Sequence, residues 1–310
     1  MTIHPDVIGI DVSKAFLDIF DVERGRPERF PNDAEAVHAL ARRLRERPHG
    51  YAVFEATAPY DKHLREVFTV QGIAFARVNP QLARHFAKAK GRKAKTDAID
   101  AKTLAEMSRV LAPPAPTRHD PLRETLMALH RRRDQMVADR AAEQVRLREV
   151  GDLHGSCARH IAWLKEEIAR FEALIAEAIA ADAALTEDLR LIRSVPGIGP
   201  VGATTLLAQM PELGTLTPKT AAALVGLAPF NVDSGKRRGI RQIGGGRKRV
   251  RQALYMAAVT AVRARARFAG LYQALLARGK PAKVALIAIA RKLIVILNAV
   301  MRDRVAFQTT

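Results

Sequence analysis

Two apolar runs that each close on an acid set the strongest limit on how this chain can fold. Val7-Ile8-Gly9-Ile10 leads into Asp11, and Tyr51-Ala52-Val53-Phe54 leads into Glu55. Short apolar runs of this kind read as sheet strands. A carboxylate at the end of such a strand is carried to the rim of the sheet. A third acidic element, Thr96-Asp97-Ala98-Ile99-Asp100, opens a helix, and its three-residue spacing puts Asp97 and Asp100 on one helical face. Carboxylate oxygens suit Mg²⁺, and two ions about 4 Å apart stabilise both the attacking and the leaving oxygen at a phosphodiester. Each acid has a plainer reading too: a turn residue, an ion-pair partner, or, behind a Thr96 N-cap, a partner of the helix dipole. The conjunction of all four in this element order favours the metal site.

The neighbouring elements give that order. Residues 15–20 return as a second strand and residues 28–30 as a short third. Residues 33–47 carry a helical stripe of Ala36, Val37, Leu40 and Leu44. After the strand at 51–55 come a helix at 59–70, a strand at 73–78, a helix at 80–89, a basic link at 90–95 and the acid-bearing helix to Val110. Three antiparallel strands followed by alternating helix and strand is a ribonuclease-H/RuvC-like α/β topology, assigned to residues 1–111. Ala112-Pro113-Pro114-Ala115-Pro116 cannot continue a helix and marks a boundary. Residues 112–192 read as a helical coiled-coil linker, two long antiparallel helices parted at Gly151-Asp152-Leu153-His154-Gly155, and suited to subunit association. His130, His154 and His160 in this arm read as surface or nucleic-acid-facing residues. Residues 193–310 form a mainly α C-terminal domain.

Charge separates these regions sharply. Eighteen of the 51 Lys and Arg, but only Asp303 of the 32 acids, fall in residues 235–310, so that quarter carries +17 of the net +19. A field of that sign suits a polyanion and predicts binding that weakens with salt. One cysteine, Cys157, excludes a disulfide framework and a cysteine-based zinc cluster. The start Met1-Thr2-Ile3-His4-Pro5-Asp6 carries no leader pattern, and the apolar stretch from Val284 to Met301 is interrupted by Arg291-Lys292, which favours a buried helix over a membrane span. The expectation is a cytoplasmic protein, nucleoid-associated when active.

Two motifs lie in the C-terminal region. Pro196-Gly197-Ile198-Gly199, followed by Gly202 and an apolar helix, is a helix-hairpin-helix signature. Its glycines permit close backbone approach, and free amides at a helix start can hold a phosphate oxygen. The alternative is a plain glycine-rich junction. Further on, Asp233-Ser234-Gly235 opens a run with eight basic residues and no acid: Lys236, Arg237, Arg238, Arg241, Arg247, Lys248, Arg249 and Arg251. Arginines bind phosphate bidentately and can stabilise a pentacovalent transition state. A serine there could be the nucleophile, although loop serines more often form turns.

The acids Asp11, Glu55, Asp97 and Asp100, the helical arm, the Pro-Gly-Ile-Gly hairpin and the Ser234 loop follow one another as in the DEDD transposases of the insertion-sequence-110 family, which also includes pilin-gene invertases. The chain resembles that family over nearly its whole length. The resemblance implies a site-specific recombinase acting on donor and target DNA, guided by a structured noncoding bridge RNA and working as a dimer or tetramer. It implies that the four acids bind Mg²⁺, with two ions per site, and that Ser234 is the catalytic serine forming a phosphoserine bond. The two sites could then meet across subunits. Two other readings fit the residues alone: a metal-dependent endonuclease of Holliday-junction type, with water as nucleophile, and a non-catalytic nucleic-acid-binding protein.

Overall fold

The computed structural model describes residues 6–47, 50–57, 59–91, 97–113, 121–231, 239, 241–264 and 266–308, which group into two compact units, Met1–His119 and Asp120–Thr310. In the first unit the chain forms β1 (Val7–Val12), β2 (Phe16–Asp21), β3 (Arg26–Pro31), α1 (Ala34–Arg45), β4 (Tyr51–Glu55), α2 (Lys62–Val70), β5 (Ala74–Val78), α3 (Pro80–Ala89) and α4 (Asp97–Leu111). The sheet order is β3-β2-β1-β4-β5. β1, β2 and β3 pair as an antiparallel meander, and β4 and β5 add in parallel. The expected succession of strands and helices is thus present, on a five-stranded mixed sheet.

Alternation along the strands sorts the core into two layers. Ile8, Ile10, Phe54 and Phe75 face one way, against Val37, Leu40 and Leu44 of α1 and Leu64 and Phe68 of α2. Val7, Tyr51, Val53, Ala76 and Val78 face the other way, against Ala83 of α3 and Leu104, Ala105 and Met107 of α4. Asp33 caps α1 by accepting from the Ala36 amide at 2.9 Å, and Asn79 caps α3 ahead of Pro80. α2 begins three residues later than its sequence pattern suggests, because Asp61 turns inward to ion-pair with Arg77 at 2.5 Å and Arg65 at 3.7 Å.

The second unit contains α5 (Pro121–Val150), a 3₁₀ turn at Leu153–Gly155, α6 (Ser156–Ala180), α7 (Ala183–Arg193), α8 (Pro200–Gln209), α9 (Pro218–Leu224), the short strands β6 (Pro229–Phe230) and β7 (Gln242–Ile243), α10 (Lys248–Ala264), α11 (Ala266–Ala277) and α12 (Ala282–Asp303). The arm holds a third helix beyond the two expected. The chain breaks at Ala181-Asp182, where the Asp182 carboxylate accepts from the Leu185 amide at 2.9 Å and starts α7. The arm's upper part packs through Met136, Leu164 and Ile168. Its lower part does not stand apart, since Leu126, Ile175, Ile179 and Leu185 join the core formed with α8 to α12.

α12 has the length and composition of a membrane span, but Ile289, Leu293, Ile294 and Leu297 are fully buried in that core. Its one buried polar residue, Asn298, is satisfied: it accepts from the Gly214 amide at 2.9 Å and donates to the Leu216 carbonyl at 2.7 Å.

Candidate metal site and nucleic-acid surface

The positions of the N-terminal acids follow from register and from one helix. β1 and β4 run parallel, in step from Val7↔Tyr51 to Ile10↔Phe54. The next residues, Asp11 and Glu55, therefore lie side by side at the carboxyl end of the sheet. Alternation places both on the face that carries Val7, Tyr51 and Val53, which is the face covered by α4. Gly9 is the point of closest approach, because a Cβ there would overlap the Ala101 carbonyl and the Ala105 amide. The Tyr51 hydroxyl donates to the Pro113 carbonyl at 2.6 Å, so the end of α4 lies over the start of β4. α4 must then run opposite to β1 and β4, with its first turn toward Asp11 and Glu55. Asp100 belongs to that turn, and Asp97 stands on the same stripe as Ala101 and Ala105. Asp11, Glu55 and Asp100 are half-buried. The side chain of Asp97 lies outside the described residues. Partly shielded carboxylates are oxygen donors of the kind a hard divalent cation takes.

A different acidic cluster shows what a structural group looks like here. Asp6, Asp21 and Glu23 bring carboxylate oxygens within 4.8 Å of one another. Arg47 bonds Asp6 at 2.7 Å, Asp21 at 2.6 Å and Glu23 at 3.1 Å, and Arg43 bonds Asp21 and Glu28. Burial alone would raise the Asp21 pKa, but hydrogen bonds from Arg47 and Arg43 outweigh it and hold the carboxyl below its ordinary range. This cluster is neutralised by arginines and needs no cation.

In the second unit, residues 194–199 connect α7 and α8 as a tight turn with Gly197 at φ +84°. Its three candidate glycines have different surroundings. Gly197 is pressed on α10, where a Cβ would overlap the Ala257 carbonyl, whereas Gly199 and Gly202 face open space. Gly199 is the N-cap of α8 and Pro200 its first residue, so the amides of Val201 and Gly202 are among those without an intrahelical acceptor. They border a groove of about 580 Å³ whose other wall is Arg249, Gln252 and Met256 of α10.

The basic run divides in the same way. Ser234, Lys236, Arg237 and Arg238 lie outside the described residues. On either side of them, Phe230 pairs with Gln242 and Pro229 with Ile243. Arg241 and Lys248 are exposed. Arg247 donates to both Glu212 oxygens at 2.7 and 2.6 Å and to the Gln209 carbonyl at 2.7 Å. Burial of Glu212 is thereby overcome, and its carboxyl sits below the ordinary range. Arg249 bonds Asp134 at 2.6 Å, and Arg251 bonds the Gly245 carbonyl at 2.5 Å. The glycines beside them serve packing: a Cβ on Gly246 would overlap the Gly226 amide, and one on Gly226 would overlap the Gly245 carbonyl. Other cations offer more open charge than the motif did. Arg263, Arg278, Lys280, Lys283, Arg291 and Lys292 are exposed and, among the described residues, carry no ion pair. Only the overall charge excess signalled them in the sequence.

Comparison with known proteins matches both regions. A family model described as "Transposase", of the DEDD type of IS110, matches residues 8–153, the stretch that holds Asp11, Glu55, Asp97 and Asp100. A second, described as "Transposase IS116/IS110/IS902 family", matches residues 189–273, which hold the hairpin and the basic run. Two curated relatives, the pilin gene-inverting proteins of Moraxella bovis and Moraxella lacunata, are each 27% identical over 316 residues, covering 97% of this chain and 97% of the relative.

Proposed function

We propose a division of chemical labour from one premise: the chain belongs to the IS110 family of transposases and is a DNA-rearranging enzyme. Its first unit is a ribonuclease-H/RuvC-like domain in which Asp11, Glu55, Asp97 and Asp100 hold Mg²⁺ for cleavage of a DNA strand. What supports this reading is the backbone arrangement: Asp11 of β1, Glu55 of β4 and the first turn of α4 come to one end of the sheet. A divalent cation held there would neutralise phosphate oxygens and the charge that develops on a leaving oxygen. Half-burial of Asp11, Glu55 and Asp100 limits competing water while leaving the site open to a strand.

The nucleophile in this proposal is Ser234. Its Oγ forms a bond to the DNA phosphorus as the bond from phosphorus to the 3′-oxygen breaks, and the proton lost by Oγ is balanced by the one gained by the released 3′-hydroxyl. The phosphoserine keeps the energy of the broken linkage, so a second 3′-hydroxyl can reverse the step on another strand. The hairpin amides at the start of α8 and the exposed cations Arg241, Lys248, Arg291 and Lys292 hold backbone phosphates without reading sequence. Sequence choice then belongs to a structured noncoding RNA that pairs with donor and target. The exposed Val145, Leu153 and Trp163 of the arm supply apolar surface for a homo-oligomer.

The test is a denaturing gel of the full chain incubated with Mg²⁺ and its end-labelled element junction. A labelled protein–DNA adduct is expected, and it should vanish in Ser234→Ala. Cleavage without an adduct in the unaltered chain would instead identify a hydrolytic nuclease. Sequencing of co-purified RNA tests guidance separately: one discrete species from the gene's flank is expected, and bulk cellular RNA would refute it.

A further inference from the structure

His130 was expected to lie at the surface or to face nucleic acid, and it is 2% exposed on α5 where α8 crosses it. Neither ring nitrogen has a hydrogen-bond partner of full geometry; the Thr204 backbone offers a weak hydrogen bond, the smallest of the influences on the ring. Buried polar atoms of native proteins are rarely left this way, and exceptions are concentrated where function requires them. His130 also lines a cavity of about 210 Å³. Ile175, Leu189 and Val201 supply apolar walls, and Arg193 lies exposed at the edge.

We propose that this cavity receives one unstacked nucleobase of a bound nucleic-acid strand. The inference rests on the nucleic-acid reading above and extends it to a base-holding subsite that neither the acids nor the hairpin provides. Size favours one ring system, since drug-sized ligands usually need pockets of roughly 300–1,000 Å³. Glu172 and Arg133, both in its lining, pair at 2.5 Å and offset each other, so the charge left over is that of Arg193 at the exposed edge. Burial, together with Arg249 and Arg133 and against the pull of Asp134, holds the imidazole below its ordinary pKa. A neutral imidazole offers one donor and one acceptor, the pattern of a base edge. The apolar walls suit the faces of a planar ring. Arg193, which among the described residues carries no ion pair, is placed to meet the phosphate of the same nucleotide outside. Entry of the base would turn an imidazole nitrogen toward the cavity.

Oligonucleotides carrying 2-aminopurine test this with the full chain. Three probes are used: an unpaired DNA strand, an unpaired RNA strand and a fully paired DNA duplex. Anisotropy reports binding, and aminopurine emission reports unstacking. A several-fold rise in emission is expected on binding of at least one unpaired probe, with little change for the duplex, and the responding strand identifies the source. Ala176→Leu, at an exposed position of the rim, should bring that rise down to the duplex level while anisotropy is retained. His130→Phe should do the same without a change in thermal midpoint beyond a few degrees. Emission unchanged in Ala176→Leu would overturn the subsite and leave the nucleic-acid reading standing. Absence of binding by anisotropy in the unaltered chain would overturn both.

Discussion

The two units position their functional groups by different means. In the first, backbone register does it: Asp11 and Glu55 stand together because β1 and β4 are in step, and because Gly9 lets α4 lie against the sheet. In the second, side-chain partners do it. Arg241 and Arg247 come from one basic run, but Arg247 is held by Glu212 while Arg241 projects into solvent. Register can be read from alternation over a few residues. The fate of a cation depends on acids far away in sequence, so a basic run fixes the sign of a surface and not its contact points.

The comparison can be broken most decisively at two aspartates of the same sheet. Asp11→Asn should abolish strand cleavage and leave the thermal midpoint within a few degrees, since a half-buried rim carboxylate contributes little to the fold. Asp21→Asn should do the opposite. It would leave Arg43 and Arg47 without their buried partner, at a cost of about 3–5 kcal/mol to the first unit. The Asp21 contribution has a defined pH dependence. Its folded pKa lies below the ordinary 3.8, so its stabilisation is complete above that value and fades as the pH falls through the depressed one. Urea titrations at pH 7 and pH 3 would show it, and equal destabilisation by Asp21→Asn at both would refute it.

A smaller effect is expected at Gly9. Valine there would force α4 away from β1, an overpacking cost of about 1–3 kcal/mol. Because α4 carries Asp97 and Asp100, cleavage should fall while duplex binding, assigned above to the second unit, is preserved. Full cleavage by a folded Gly9→Val protein would mean that this contact does not set the acids' positions.

These cases show which parts of the structure were legible in the sequence. The strands were, because Val7–Asp11 and Tyr51–Glu55 are short apolar runs with a clear end. The start of α7 was missed although Asp182 stands before Ala-Ala-Leu, a plausible N-cap, because the apolar spacing continues across the break. The burial of His130 could not be read at all. Its neighbours Thr204 and Arg249 arrive from distant segments, and nothing local in α5 distinguishes it from an exposed histidine. The roles of Gly226 and Gly246 were hidden for the same reason, since Gly226 is pressed by the Gly245 carbonyl and Gly246 by the Gly226 amide, about twenty residues apart in sequence.

The least disruptive experiment compares Arg247→Ala with Arg241→Ala. Both remove one positive charge from the same run, so a surface defined by charge count alone predicts equal losses of duplex binding. The structure predicts unequal ones. Arg247 makes charge-assisted hydrogen bonds to Glu212 and holds the Gln209 carbonyl, so its loss should cost about 1–3 kcal/mol of stability. Its effect on the salt dependence of binding should be small, because the charge is already compensated. Arg241 is exposed, and its removal should change stability by no more than about 0.5 kcal/mol. If it contacts a phosphate, the slope of log affinity against log salt should fall by about 1. Thermal melts with binding isotherms at four salt concentrations separate the two. A shallower slope for Arg247→Ala than for Arg241→Ala would show that partner geometry does not decide which cations meet the nucleic acid.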